Sequence, residues 1–272
     1  MTTESNHQEQ AVYTLEGDAL VPSDLAQGPW NPEHQSGGAV SGILARSAER
    51  VETPCPMRIA RLSIDLMRPV PMKPLIPQAR VVRAGRRIQV VDVWLEDAGQ
   101  TVARASVLRV RTDDSLTPGA EYTFNLPSPP RPEAGKDGPV TRRKLAYMPG
   151  WMRAIDFRRE QLSQPGQKNR AWVRLRKDLV ADEPNSPITR LAALGDFSAG
   201  IANALDLSRW TSPNADLSLH ILREPQSEWL ALEASASISP DGLGQSSAII
   251  FDDQGICARG HASLIVDRWP DA

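Results

Sequence analysis

The sequence predicts an α+β fold built twice in one chain, each half a long helix wrapped by an antiparallel β-sheet. Three observations predict it. A proline-rich stretch divides the chain near its middle, matching landmarks recur 155 positions apart on its two sides, and a small-residue helix precedes the first matched strand in each half. Leu62-Ser-Ile-Asp-Leu-Met-Arg68 is matched by Leu217-Ser-Leu-His-Ile-Leu-Arg223, and Asp97-Ala-Gly-Gln-Thr-Val-Ala-Arg104 by Asp252-Asp-Gln-Gly-Ile-Cys-Ala-Arg259. Two landmarks at one offset argue for an internal duplication.

Taken in order, a short strand near 11 to 16 leads to a helix over Gly37 to Arg50. That helix has little β-branching, and Val40, Ile43, Leu44 and Ser47 fall near one face at helical spacing. Its glycine and alanine content lets a sheet approach closely. Runs that read as long strands follow over about 57 to 70, 78 to 84, 87 to 96 and 100 to 111, with Ala-Gly turn signals at 84-85 and 98-99. From Thr112 to Pro149 the periodicity stops, and Pro127-Ser-Pro-Pro-Arg-Pro132 reads as linker because proline fixes φ and removes donors. The second half repeats the plan: strands near 151 to 158 and 170 to 176, a helix over Leu191 to Leu205, then strands near 213 to 224, 227 to 237, 244 to 252 and 256 to 267. We therefore divide the chain into repeats at 1–112 and 150–272, joined by a linker at 113–149.

Composition narrows the function. The 272 residues are 40% hydrophobic and 24% charged, as in ordinary globular proteins, which excludes global disorder. With 31 basic against 33 acidic residues and a pI near 6.1, no basic field exists to gather nucleic acid, so no nucleic-acid partner is expected. No apolar run reaches the ~18 residues that span a bilayer, and residues 1–10 carry no signal-like pattern. Cys55 and Cys257 lie 202 positions apart without metal-ligand neighbours, which suits a reduced cytoplasmic setting. The four histidines are scattered, so neither metal nor other cofactor is expected. Gly-x-Ser-x-Gly, Gly-x-Gly-x-x-Gly and Gly-Lys-Ser/Thr signatures are missing, which argues against a serine hydrolase, a dinucleotide enzyme or a kinase. The seven tryptophans read as core and interface anchors.

A strand, a loop Gly28-Pro-Trp-Asn-Pro-Glu-His-Gln-Ser-Gly-Gly38, a small-residue helix and a meander of long strands resemble a hotdog fold, and the duplicated form resembles the double-hotdog acyl-CoA thioesterases of the thioesterase II type. The resemblance covers nearly the whole chain after about residue 10. It implies a tandem hotdog that hydrolyses an acyl-CoA thioester with water and no cofactor, in lipid metabolism. Such chemistry needs a carboxylate to hold or deprotonate water and amides at a helix start to stabilise the oxyanion.

In that family these duties are associated with an Asp, a Thr or Ser, and a Gln of the second half. The resemblance places them at Asp196, toward the start of the second helix, at Asn214, and near Ser263 in the final strand. Two of the three depart from the family's residue types, although Asn and Ser can both hydrogen-bond a water. Helix capping is the alternative role for Asp196. Period two sets Asn214 and His220 on the polar face of their strand, and His261 and Ser263 on one face of theirs. In the first half the stretch Leu44-Ala-Arg46 has no acid and Glu49 comes a turn later, so that half reads as catalytically degenerate. His34, Gly37 and Gly38 are the candidate substrate-binding residues of the loop, and Arg58, Arg61, Arg68, Arg223 and Arg142 to Lys144 could meet CoA phosphates. A non-catalytic acyl-CoA or acyl-carrier binding protein is the alternative, whereas a hotdog hydratase would need a helix His that neither half supplies. Unpaired sheet edges lead us to expect a homo-oligomer.

Overall fold

The computed structural model describes residues 11–113, 115, 119, 125–133, 148–159, 164, 166–202 and 205–269. The chain begins with a small hairpin, β1 (Tyr13–Glu16) and β2 (Ala19–Pro22), and then α1 (Gly37–Glu49). The first-half strands are β3 (Met57–Asp65), β4 (Gln78–Ala84), β5 (Ile88–Asp97) and β6 (Gln100–Arg111). A single turn, α2 (Gly150–Arg153), leads into β7 (Ile155–Arg158) and β8 (Asn169–Leu175). Two short helices follow, α3 (Pro187–Gly195) and α4 (Phe197–Ala202). The chain closes with β9 (Trp210–Thr211), β10 (Asp216–Ile221), β11 (Leu230–Ile238), β12 (Leu243–Asp252), β13 (Gly255–Ile265) and β14 (Asp267–Arg268).

Ten strands form one sheet in the order β4-β5-β6-β3-β10-β13-β12-β11-β8-β7, with every pairing antiparallel. The halves meet at β3 and β10, where Leu62 pairs with Leu219 and Ile64 with Leu217. Adding 155 to Leu62 and Ile64 gives Leu217 and Leu219, so exchanging the halves maps this pair of contacts onto itself. The sequence offset is therefore an approximate two-fold axis through the middle of the sheet. All four side chains are no more than 1% exposed, and fully burying each contributes about 1.5–3 kcal/mol.

The helices lie on the inner face. Alternation along β5 buries Gln89, Val91, Val93 and Leu95, and along β13 it buries Gly260, Ala262 and Leu264 while Arg259, His261 and Ser263 face out. α1 packs on α3 through its small residues. A Cβ on Gly42 would stand 2.8 Å from Leu179 Cδ2 and 3.1 Å from Ala193 Cβ, and one on Gly38 would stand 2.7 Å from the Ala193 carbonyl oxygen. Only glycine lets the two backbones approach so closely.

The helix read over Leu191 to Leu205 starts earlier and is broken. Ser186 caps α3 by accepting from Thr189 N–H at 2.9 Å, and Pro187 occupies the first helical position, where its missing N–H costs nothing. The break falls at Asp196, the C-cap of α3. Of the stretch read as linker, residues 125–133 lie against the second half: Trp172 Nε1–H donates to Pro130 O at 3.1 Å and Ile256 N–H to Leu126 O at 3.0 Å. Residues 134–147, including Arg142 to Lys144, lie outside the described residues.

Candidate active site

α1 and α3 run antiparallel, so the first turn of α1 meets the end of α3, where Asp196 stands. A Cβ on Gly37 would lie 2.9 Å from Asp196 Oδ1 and 2.9 Å from Leu66 Cδ1, which makes glycine the residue that admits the carboxylate there. Ser36, the N-cap residue of α1, makes no side-chain cap bond. The Gly38 N–H instead donates to the Asp196 carboxylate. From the other side Asn214 Nδ2 donates to Asp196 Oδ1 at 2.6 Å and to the Asp196 carbonyl at 3.1 Å. The acid is thus held by one side-chain amide and one main-chain amide while remaining partly exposed.

Burial dominates its electrostatics. It pushes the Asp196 carboxyl from the usual 3.8 up to about 6, against the lowering effects of the Asn214 and Gly38 bonds. A carboxylate poised there is largely ionised at neutral pH yet basic enough to take a proton from water. Phe197 follows it and stacks on Trp151 at 6.5 Å, with Phe157 edge-on at 5.9 Å. The Trp151 ring is 2% exposed and abuts Gly38, walling the site from the α2 side.

The structure brings Asp196, Asn214, Gly37 and Gly38 together and leaves Ser263 apart. One correction to period two explains this. β10 and β13 pair Ser218 with His261, yet Asn214 bridges Leu264, one residue out of that register. The slip sits at the bend at Ala215, and a one-residue slip turns side chains to the opposite face. Asn214 accordingly leaves the outer face of His220 and points inward to Asp196. Ser263 keeps the outer face, where its N–H donates to Asp216 Oδ1 at 2.6 Å. The position opposite Asn214 belongs to Leu264, which is 1% exposed.

His34 contributes main-chain bonds, accepting from Gly28 N–H at 2.8 Å and donating to Asn31 O at 3.1 Å. Its neighbour Gln35 pins the loop, taking the Tyr13 hydroxyl at 2.6 Å and donating to Pro71 O at 2.7 Å. Arg223 is committed to the buried Asp252, with Nη1 donating to Oδ2 at 2.7 Å, and is not a free phosphate ligand. Among the described residues no three of His, Cys, Asp and Glu stand close enough to hold a metal ion.

Residues 26–110 match a family model described as the acyl-CoA thioesterase N-terminal domain, and residues 125–266 match its C-terminal counterpart. The chain belongs to the acyl-CoA thioesterase family. This acyl-CoA thioesterase shares its hot dog architecture with solved structures of low identity. A candidate thioesterase from Novosphingobium aromaticivorans is 21% identical over 93% of this chain and 98% of that one, with a TM-score of 0.68. The tesB protein of Mycobacterium avium subs. paratuberculosis is 17% identical over 92% of each chain, at 0.67. A hot dog fold protein from Alicyclobacillus acidocaldarius is 17% identical over 94% of this chain and 95% of the other, at 0.65. No curated protein sequence matches the thioesterase.

Sequence reasoning missed Leu66, Trp151 and Phe197 as walls of this thioesterase's site. Phe197 carried a signal, as an aromatic beside the acid in an otherwise small-residue helix. Trp151 carried none, because α2 reaches the start of α1 only through tertiary packing.

Proposed function

We propose that this thioesterase hydrolyses acyl-CoA to free acid and CoA by water that Asp196 activates, with Asn214 aligning the carboxylate. The observation that carries the reading is the Asn214–Asp196 bond of 2.6 Å at the start of α1, where Ser36 makes no side-chain cap bond. In the proposed reaction Asp196 takes a proton as the water oxygen bonds to the thioester carbon. Amides of the first turn of α1 stabilise the oxyanion, aided by the helix dipole. Collapse then breaks the C–S bond, and the proton passes to the departing thiolate. Leu264 in place of a polar third partner leaves the water to Asp196 and Asn214, and Ser263 takes no part. His34 shapes the loop that presents Gly37 and Gly38.

The reaction needs no cofactor. No helix among the described residues is long and apolar enough to cross a membrane. Cys55 and Cys257 are free thiols, which supports a reducing cytoplasmic setting. Release of free thiol from short, medium, long and aromatic acyl-CoAs tests the reading. On long-chain acyl-CoAs Asp196→Asn is expected to lower kcat by roughly 100-fold or more with KM and the folded state kept. Unchanged long-chain turnover in that variant would remove Asp196 from the mechanism.

A further inference from the structure

The approximate two-fold axis that relates the halves also relates the two ends of the α1–α3 pair, and the second end carries its own carboxylate. Glu49, in the last turn of α1, reaches the first turn of α3. There it accepts from Ser186 Oγ at 2.6 Å and Thr189 Oγ1 at 3.0 Å. Both hydroxyls bond the same oxygen, Oε2, so Oε1 is left without a hydrogen bond among the described residues. Beside it lies a cavity of about 250 Å³, walled by Leu179, Val180 and Pro184 and lined on its polar side by Glu49, Ser186 and Thr189. Arg46 and Arg50 stand at its rim, both paired with Glu183, at 2.6 and 2.8 Å. The Arg50 side chain is 59% exposed, so this rim is open to solvent.

We propose that this cavity is a second acyl-thioester site, in which Glu49 Oε1 holds the attacking water. The inference rests on the thioesterase reading above and extends it to the half that the sequence marks as degenerate. An acid at one end of a helix pair, set against the first turn of the other helix, recurs here from different residues, with hydroxyls in place of a main-chain amide because Ser186 caps α3 and Pro187 has no N–H. The anchors differ in kind. Two hydroxyl donors fix Glu49, where one side-chain amide and one main-chain amide fix Asp196. Burial pushes the Glu49 carboxyl above its usual range, as at Asp196, and the hydroxyl bonds of Ser186 and Thr189 pull against it. In the reaction the water oxygen bonds to the carbonyl carbon, its proton goes to Glu49, the C–S bond breaks and the thiolate leaves with that proton. The apolar wall receives the acyl group, and the Arg50 side chain at the open rim faces the anionic CoA moiety.

The size of the cavity sets its substrate class. Pockets that enclose a drug-sized ligand run about 300–1,000 Å³, so a cavity of about 250 Å³ with an open rim encloses at most a short acyl group and favours short chains. Thiol release measured across chain lengths for the wild type, Asp196→Asn, Glu49→Gln and the double variant tests this. We expect Asp196→Asn to retain turnover of short acyl-CoAs, and the double variant to lose at least tenfold of that remainder. Glu49→Gln alone should leave long-chain turnover unchanged. Thr189→Val, which keeps the shape and removes one hydroxyl, should raise the pH of half-maximal short-chain turnover, a shift that a purely structural role would not produce. Equal release by Asp196→Asn and the double variant at every chain length would overturn the second site and leave the first standing. Release abolished by Glu49→Gln but untouched by Asp196→Asn would instead sustain the second site and remove the first. A wild type that releases no thiol from any acyl-CoA would overturn both.

Discussion

In the proposed reaction Asp196 carries both a chemical role and a cost in stability. Its carboxyl is raised to about 6, chiefly by burial, so the base form accumulates as pH passes through that value. kcat/KM should therefore climb tenfold per pH unit below about 6 and level off above it, a profile that steady-state assays from pH 4.5 to 8 would trace. Asn214 donates to the carboxylate and lowers its pKa, so Asn214→Ala should move the rising limb to higher pH. A limb that stays in place would show that Asn214 does not bear on the ionisation. The stability consequence has the opposite sense. The folded state holds a proton that the unfolded state gives up near 3.8, so stability is full below that pH and is lost as pH rises through about 6. At pH 8 the loss is at most about 3 kcal/mol, taking about 1.4 kcal/mol per pKa unit. Asp196→Asn should raise the thermal midpoint at pH 8 and leave it nearly unchanged near pH 4, as calorimetry at the two pH values would reveal.

At the scale of elements, the α1–α3 contact decides where both carboxylates stand. Gly38 is central to it, since a Cβ there would meet the Ala193 carbonyl and the Trp151 indole nitrogen at 2.7 Å each. A rigid backbone oxygen cannot swing away, so the helices must part. We expect Gly38→Ala to destabilise the fold by about 1–3 kcal/mol and to lower turnover as well, because the same shift moves the amide that holds Asp196. Urea unfolding alongside the thiol assay would separate this from Asp196→Asn, which should lose long-chain turnover without being destabilised. The β12–β13 turn has its own fastening. Burial pushes the Asp252 carboxyl up, but the Arg223 guanidinium and the amides of Gln226 and Gln254 outweigh this and hold it below the usual range. The landmark that reveals the duplication, Asp252 to Arg259, is therefore in this half the site of a buried ion pair.

For the whole molecule, the ten-stranded sheet joins the halves through β3 and β10 and leaves β4 and β7 at its edges. β4 is exposed along its full length, and Val81 and Val82 on it are 40% and 54% exposed. An edge with unpaired main-chain groups and apolar side chains is a template for another strand. We accordingly expect self-association, with light scattering at micromolar concentration giving a mass above the 29.8 kDa of one chain. A monomeric mass there would refute it.

The sequence by itself determined the duplication, the approximate extents of eight long strands and the position of α1, because alternation, turn residues and a repeated offset are local signals. It also placed an acid at Asp196, through likeness to a family pattern. It could not determine that Asn214 faces that acid while Ser263 turns away. That depends on a one-residue slip between β10 and β13, and a slip is a property of two strands together rather than of either one. Nor did it reveal what Glu49 meets, since Ser186 and Thr189 lie 137 and 140 positions away along the chain. Only the antiparallel packing of α1 on α3, permitted by Gly38 and Gly42, sets each helix's acid against the first turn of its partner. Local periodicity is written into the chain, whereas the face a side chain finally presents is decided by the elements that pack against it.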